Sequence, residues 1–290
     1  MFCYKICLLI IFLICLATIN PLAAIGNKEH SISFEISGYK YQEVKSDGEE
    51  FISIVGERYG LSYEYLSRKS AKRSSFWSYQ GSLSFGDLIY DGVSQKGDVK
   101  FKINCRTDWY QEHRLLYGLA LSFNDNASVV MPYLGFGFRG LFNRVNDYNY
   151  IKDGNPAKIF GYDRYSMYLY IPLGIILRWE LDNEWLFSLN PEFDLFLIGQ
   201  QISGIDTNGS GKPTENAQHG GYGFRISSKV SKKIGDEFTV FLEPFIKYWN
   251  IADSDKKFYS VVESGTIKYG YFFEPKNNTM EYGVKIGITF

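Results

Sequence analysis

Residues 280 to 290 alternate without a break. Met280, Tyr282, Val284, Ile286, Ile288 and Phe290 fall on one face, and Glu281, Gly283, Lys285, Gly287 and Thr289 on the other. A period of two belongs to a β-strand, whose successive side chains point to opposite sides. One side of this strand is oily and the other polar or small. The same rhythm runs back along the chain. Phe238, Val240, Leu242, Pro244, Ile246 and Tyr248 oppose Thr239, Phe241, Glu243, Phe245 and Lys247. Tyr222, Phe224, Ile226 and Val230 oppose Gly223, Arg225, Ser227 and Lys229. Trp185, Phe187, Leu189, Phe193, Leu195 and Leu197 oppose Ser188, Asn190, Glu192 and Asp194. Met167, Leu169, Ile171, Leu173, Ile175 and Leu177 oppose Tyr168, Tyr170, Gly174 and Arg178. A soluble sandwich also alternates, but it does not carry charges on the second face of nearly every strand.

The pattern predicts strands near 31 to 43, 54 to 67, 76 to 92, 108 to 124, 128 to 144, 163 to 181, 184 to 201, 219 to 232, 237 to 253 and 278 to 290. Ten is an even number, as in single-chain bacterial barrels. The fold expected is all-β: a closed antiparallel up-and-down transmembrane barrel of about ten strands, with eight or twelve as alternatives. Parity assigns the short connections at 124 to 127, 182 to 183 and 233 to 236 to the periplasm, together with the basic turn of Arg68, Lys69, Lys72 and Arg73. The long polar segments 145 to 162, 202 to 218 and 254 to 277 fall outside the cell. Within residues 93 to 107, Val99 to Asn104 alternates enough to be a strand of its own, but an eleventh crossing would make the count odd. They are expected to extend a neighbouring strand beyond the membrane.

Composition sharpens this picture. The 290 residues include 23 Tyr, 23 Phe, 5 Trp and 28 Gly, the usage of a lipid-facing sheet with aromatic girdles. Residues 1 to 24 carry Lys5, the apolar run Ile6 to Ala17 and the small residues Ala23 and Ala24, the build of a signal peptide. The barrel is then expected over residues 25 to 290, after export to the outer membrane. Cys3, Cys7 and Cys15 lie in the leader, which leaves Cys105 as the one thiol of the mature chain. That excludes an intramolecular disulfide or a cysteine metal site. A formal net charge of −1 gives no reason to expect nucleic acid.

Inward positions carry both signs of charge: Glu35, Arg58, Glu64, Glu112, Arg114, Arg139, Arg178, Glu192, Asp194, Arg225, Lys229, Glu243, Lys247, Glu281 and Lys285. A barrel this narrow is filled by side chains. Isolated charges there would each cost several kcal/mol, so they are expected to pair or hold water. Glu243 and Lys247 should meet Glu281 and Lys285, and Glu192 and Asp194 should meet Arg225 and Lys229. An interlocked lumen is the reading favoured over a narrow porin-like channel for small solutes.

Several stretches resemble a known group. These are Tyr168-Leu169-Tyr170-Ile171-Pro172-Leu173-Gly174, Glu192-Phe193-Asp194-Leu195-Phe196-Leu197, Glu243-Pro244-Phe245-Ile246-Lys247-Tyr248-Trp249-Asn250-Ile251, and Glu274-Pro275-Lys276-Asn277-Asn278-Thr279 leading into Gly283, Gly287 and Phe290. Together they resemble an uncharacterised family of proteobacterial outer-membrane β-barrel proteins, within the porin-like or OmpA-like superfamily of transmembrane barrels. The resemblance implies fold and location and no activity. Tyr282, Ile288 and Phe290 are also similar to the C-terminal signal read by barrel-assembly machinery. The expected partners are that machinery, outer-membrane lipid and lipopolysaccharide, and an unidentified surface ligand.

Enzymatic readings are weighed against the three histidines. Omptin-type proteases use paired aspartates and an Asp/His pair at the extracellular rim. His30 precedes the first expected strand on the periplasmic side. His219 lies at an extracellular loop end within reach of Asp206, without paired aspartates opposite. His113 has the lipid-facing parity of Leu115 and Tyr117 and reads as interfacial; a lipid A hydrolase or acyltransferase would need a serine beside it. Asp253 to Asp255 and Asp206 to Gly211 offer oxygens without a complete calcium pattern. No catalytic, cofactor or metal residue is assigned. A structural or surface-binding barrel is expected, whose long connections present the recognition surface.

Overall fold

The computed structural model describes residues 28–44, 50–69, 71–93, 99–123, 127–152, 154–159, 161–204, 213–235, 237–263 and 266–290. The expected leader and the Asp206 to Gly211 stretch lie outside them. The strands in chain order are β1 (Lys28–Val44), β2 (Glu50–Arg68), β3 (Arg73–Val93), β4 (Lys100–Phe123), β5 (Ser128–Arg144), β6 (Tyr148–Lys152), β7 (Asn155–Ile159), β8 (Asp163–Glu180), β9 (Trp185–Ser203), β10 (Thr214–Gln218), β11 (Gly221–Ile234), β12 (Phe238–Ile251), β13 (Lys257–Glu263), β14 (Thr266–Phe272) and β15 (Asn277–Thr289).

Ten of these close a ring. β1 to β5 follow in order, β5 pairs with β8, β8 with β9, β9 with β11, β11 with β12, β12 with β15, and β15 returns to β1, all antiparallel. A closed ring is what hydrocarbon demands, because it leaves no row of backbone groups without partners. The ring is sheared. Cα partners followed from Lys28 through Ser67, Trp77, Tyr117, Leu134, Leu173, Phe193, Phe224, Tyr248 and Met280 arrive at Lys40, 12 residues further along β1. With ordinary strand rise and spacing, that stagger over ten strands means a tilt of about 40° and a backbone diameter of about 20 Å.

The expected faces are in place. Leu173, Leu242 and Ile246 are 42–48% exposed on the outer wall, whereas Glu35, Arg58 and Glu281 inside are at most 2% exposed. The lipid-facing wall is bounded by Trp185, Phe238 and Phe290 at the end carrying the short turns. Tyr59, Tyr222, Tyr248 and Tyr282 bound it at the other end. Glycines admit lumenal aromatics where the ring packs flat on the wall: a Cβ on Gly137 would overlap the Tyr170 ring. The β8–β9 hairpin turns tightly through residues 182–184, closed by Leu181 N donating to Trp185 O at 2.8 Å, with Asn183 and Glu184 both at positive φ (60° and 65°).

Three expectations need correction. His30 does not precede the first strand; it lies within β1, because β2 pairs with β1 down to Lys28 and sets His30 opposite Tyr65. The strand expected from 219 to 232 is interrupted. β10 pairs with the outer end of β9, β11 with the rest of it, and His219 and Gly220 break the ladder between them. The long outer connections are not merely polar loops, since β6–β7 and β13–β14 are hairpins standing off the barrel. Residues 100 to 107 do extend β4 along β3. A register shift between Gly86 and Leu88 changes the parity, so that Phe101 and Ile103 turn inward on odd numbers and Asp108 on an even one.

Candidate functional site

The lumen is layered. Toward the end of the strands that carries the short turns lies an apolar patch of Leu66, Phe76, Leu116, Met131 and Ile176. Beside it an open vestibule of about 390 Å³ is lined by charged groups including Arg68, Arg178, Glu180 and Lys233. Arg178 reaches Glu29 here at 2.9 Å. Above it, Lys229 stands 3.9 Å from Glu64, which also accepts from Gln80 at 2.8 Å.

The middle layer is a belt of ion pairs. Arg225 is its hub: Nη1 and Nη2 donate to Glu112 at 3.0 and 2.8 Å, and Nε lies 3.0 Å from Asp194 and 2.7 Å from Glu192. Arg114 takes the other oxygen of Glu192, which Tyr133 also donates to, and Tyr170 donates to Glu112 at 2.6 Å. Lys247 lies 3.4 Å from Glu281, and Lys285 3.7 Å from Glu243. Burial in so narrow a space strips water from every one of these groups, and only the partners offset that cost. A cavity of about 80 Å³ remains under the belt, lined by Ser33, Ser62, Ser82, Ser227, Lys247 and Lys285. At roughly 10–15 Å³ per water it has room for a handful of waters.

The outer layer is aromatic. Tyr39, Tyr110, Tyr168, Tyr170, Phe196 and Trp249 form one buried cluster with Ile54, Leu88, Leu141 and Ile251. Arg58 is buried over the Tyr39 ring at 3.5 Å and paired with Asp108 at 2.6 Å, and Asn143 holds the second Asp108 oxygen. Arg139 departs from the expected pairing. It has no carboxylate partner among the described residues and lies 5.3 to 5.9 Å from the rings of Trp249, Tyr110 and Tyr168, where cation–π attraction stands in for an ion pair.

A latch closes the outer mouth. Arg164 donates to Glu43 at 2.9 Å and to Tyr41 at 2.8 Å, and also meets Glu274, which hangs inward from the connection after β14. Tyr41 Oη lies 3.0 Å from both carboxylates. The connection is held from above: Ser254 N donates to Glu274 O, and Asp255 N to Ala217 O. Two carboxylates thus share one guanidinium. Burial pushes the Glu274 carboxyl up to about 7; Arg164 pulls the other way, and Glu43 raises it further.

Of the residues expected in the lumen, the structure joins Arg225 with Glu192 and Asp194, Lys247 with Glu281, and Lys285 with Glu243. Lys229 does not join Glu192 or Asp194. On β11 it lies opposite Ser188 of β9, and it reaches across the lumen to Glu64 of β2. Glu35 accepts from Ser62 at 3.3 Å. Asp108, Arg164, Glu43, Glu29 and Glu274 were missed. The first four were legible from the parity of Glu112, Tyr168 and Glu35 extended along their strands, whereas a connection gives Glu274 no parity. Tyr282, Ile288 and Phe290 lie on the outer face of β15, and the Phe290 backbone exchanges two hydrogen bonds of 2.9 Å with His30.

Outside the lumen, His219 Nε2 lies 3.4 Å from Asp255 at the rim, with both side chains more than half exposed. Asp206, its expected partner, is outside the described residues. Asp253 accepts from Lys276 N. Among the described residues no group of three or more His, Cys, Asp or Glu is placed to hold a metal ion.

Acid should tighten the latch. Glu274 binds its proton more strongly in the closed mouth than in an open one, so closure is fullest below pH about 4.5 and weakens as pH rises through about 7. The hydrogen-exchange protection of residues 252 to 263 and 266 to 276, with the base-catalysed rise of the intrinsic rate divided out, is expected to fall over that range. In Glu274→Gln, which is neutral at every pH, the dependence is expected to vanish; a dependence that persists would show that Glu274 is not its source.

No protein-family model matches the chain, and no curated protein matches it in sequence. Among solved structures, the outer membrane protease OmpT of Escherichia coli superposes with a TM-score of 0.62 at 9% identity, over 91% of this chain and 96% of that one. Ail, the attachment invasion locus protein of Yersinia pestis, gives 0.30 at 8% identity, over 91% and 100%. The P. putida toluene transporter TodX gives 0.31 at 7%, over 93% and 91%. The first alone is a likeness of fold. Ring closure, the greasy wall and that likeness agree: the chain has the fold of the outer-membrane β-barrel proteins.

Proposed function

We propose that this protein is a structural or surface-binding barrel of the outer membrane whose lumen passes no solute and whose outer connections carry the recognition surface. The observation that carries this reading is the continuous filling of the lumen, by the Arg225 belt, the Trp249 and Tyr110 cluster and the Arg164 latch in series. A solute would have to break several buried ion pairs at once, each costly to leave half-made. The outer hairpin β13–β14 supports surface binding. Phe258, Tyr269 and Tyr271 are 60–67% exposed, with Phe258 stacked on Tyr269 at 5.6 Å and edge-on to Tyr271 at 5.7 Å, an apolar patch of the kind that marks contact sites. Export by a leader, insertion by assembly machinery through Tyr282, Ile288 and Phe290, and membership of the resembled family complete the proposal. In planar bilayers the purified protein is expected to give no stable conductance steps. Steps of uniform size would establish the narrow channel instead.

A second reading, hydrolysis at the rim, is favoured by the exposed His219 and Asp255 pair alone. A histidine beside a carboxylate can serve as a general base. Under the non-enzymatic reading, cells overproducing the protein cleave no added peptide and leave lipid A unchanged. Activity lost in His219→Ala would overturn it.

A further inference from the structure

The membrane-facing wall is uniformly greasy except in one place. From β5 round the ring to β1, the described outward residues between the two girdles are Leu, Ile, Val, Met, Phe, Pro or Gly, with Ser228 and, beside Phe290, His30 the polar exceptions. On β2 to β4 Tyr63, Tyr79 and His113 stand between the girdles around Gly81, and Gln111 lies level with the outer one. Cα partners place Gln111 opposite Leu83 and His113 opposite Gly81, four and six residues below Asp87, where the outward charges of β3 begin. Given strand rise and tilt, His113 sits roughly 12 Å and Gln111 roughly 7 Å beneath Asp87.

Polar groups at that depth need partners, since each one left alone in hydrocarbon costs several kcal/mol. Two needs are met within the wall: Tyr79 Oη and His113 Nδ1 are 2.9 Å apart, and so are Tyr63 Oη and His30 Nδ1. Among the described residues, His113 Nε2 and the Gln111 amide have none. Because Gly81 lacks a side chain, a groove of about 420 Å³ opens beside them, walled by Ile32, Leu61, Tyr63, Tyr79 and Leu83. An apolar slot topped by one donor–acceptor amide and one imidazole nitrogen matches an acyl chain whose first carbons carry a carbonyl and a hydroxyl. Its position on the outer half of the wall, continuous with the surface already in contact with lipid, sets it against the outer leaflet. The lipid of that leaflet that bears 3-hydroxyacyl chains is lipopolysaccharide.

We propose that Gln111, His113 and the groove over Gly81 form a binding site for one acyl chain of lipopolysaccharide, with the chain in the groove and its carbonyl and hydroxyl at Gln111 and His113. The site is independent of whether the lumen conducts. Native mass spectrometry of the full protein, extracted from outer membranes in mild detergent, tests it. Wild type is expected to retain lipopolysaccharide. The double variant Gln111→Leu, His113→Leu and the groove-filled Gly81→Leu should each retain at least tenfold less, and Leu173→Ile on the far wall should retain as much as wild type. Refolded, delipidated wild type should recover the adduct on addition of lipopolysaccharide and not of phosphatidylethanolamine vesicles. Heat-modifiable migration in gels identifies the folded variants, and either groove variant suffices if the other fails to fold. Equal retention in a folded groove variant would overturn the proposal. So would an adduct with phosphatidylethanolamine in place of lipopolysaccharide, or disulfide-linked dimers of Gly81→Cys, which would make the occupant a second copy.

Discussion

Every backbone N–H and C=O inside a bilayer must find its partner within the protein. For a chain whose apolar residues recur at every second position, a closed ring of strands satisfies that constraint, and the other features follow from the closure. Ten strands staggered by 12 residues fix the diameter. The diameter admits only one layer of side chains from each wall, so those side chains meet their opposites across the axis. What the ring encloses is thus as fully determined as what it exposes.

The enclosed charges illustrate the balance. Arg225 alone faces Glu112, Glu192 and Asp194, and a lone carboxylate in that position would be strongly destabilising. A network of this kind favours one arrangement over its alternatives, because moving any member strands another. The aromatic layer adds closure of a different kind. Trp249, Tyr110 and Tyr168 bury wide apolar faces while presenting their π surfaces to Arg139, so a cation with no carboxylate is still accommodated. Ionic belt, aromatic layer and mouth latch lie in series along one axis, which is why the account of function turns on the lumen as a whole and not on any single residue.

The wall was legible in the sequence because its signal is local. Parity alone placed Leu242 outside and Glu243 inside, and the strand bounds follow the expected ones within a few residues. The partners of the lumenal charges were legible only where the strands are neighbours, as for Lys247 and Glu281. Lys229 and Glu64 meet from strands across the ring, and parity gives a residue its face without its height. Glu274 illustrates a further limit, since its inward course is set by backbone bonds between Ser254 and the chain that bears it. The break at His219 and Gly220 and the parity change after Gly86 are likewise matters of register, invisible to a count of apolar residues.

The central claim is that one face of every strand meets hydrocarbon and the other a packed ionic interior. Nitroxide labels placed singly from residue 238 to 251, with the protein in bilayers, test it directly through collision with oxygen and with a water-soluble nickel chelate. The account predicts oxygen contact that peaks at even positions such as Leu242 and Ile246. At odd positions such as Glu243 and Lys247 both reagents should be largely excluded. Strong nickel contact at the odd positions would reveal an open aqueous pore, and loss of the two-residue period would contradict the barrel itself.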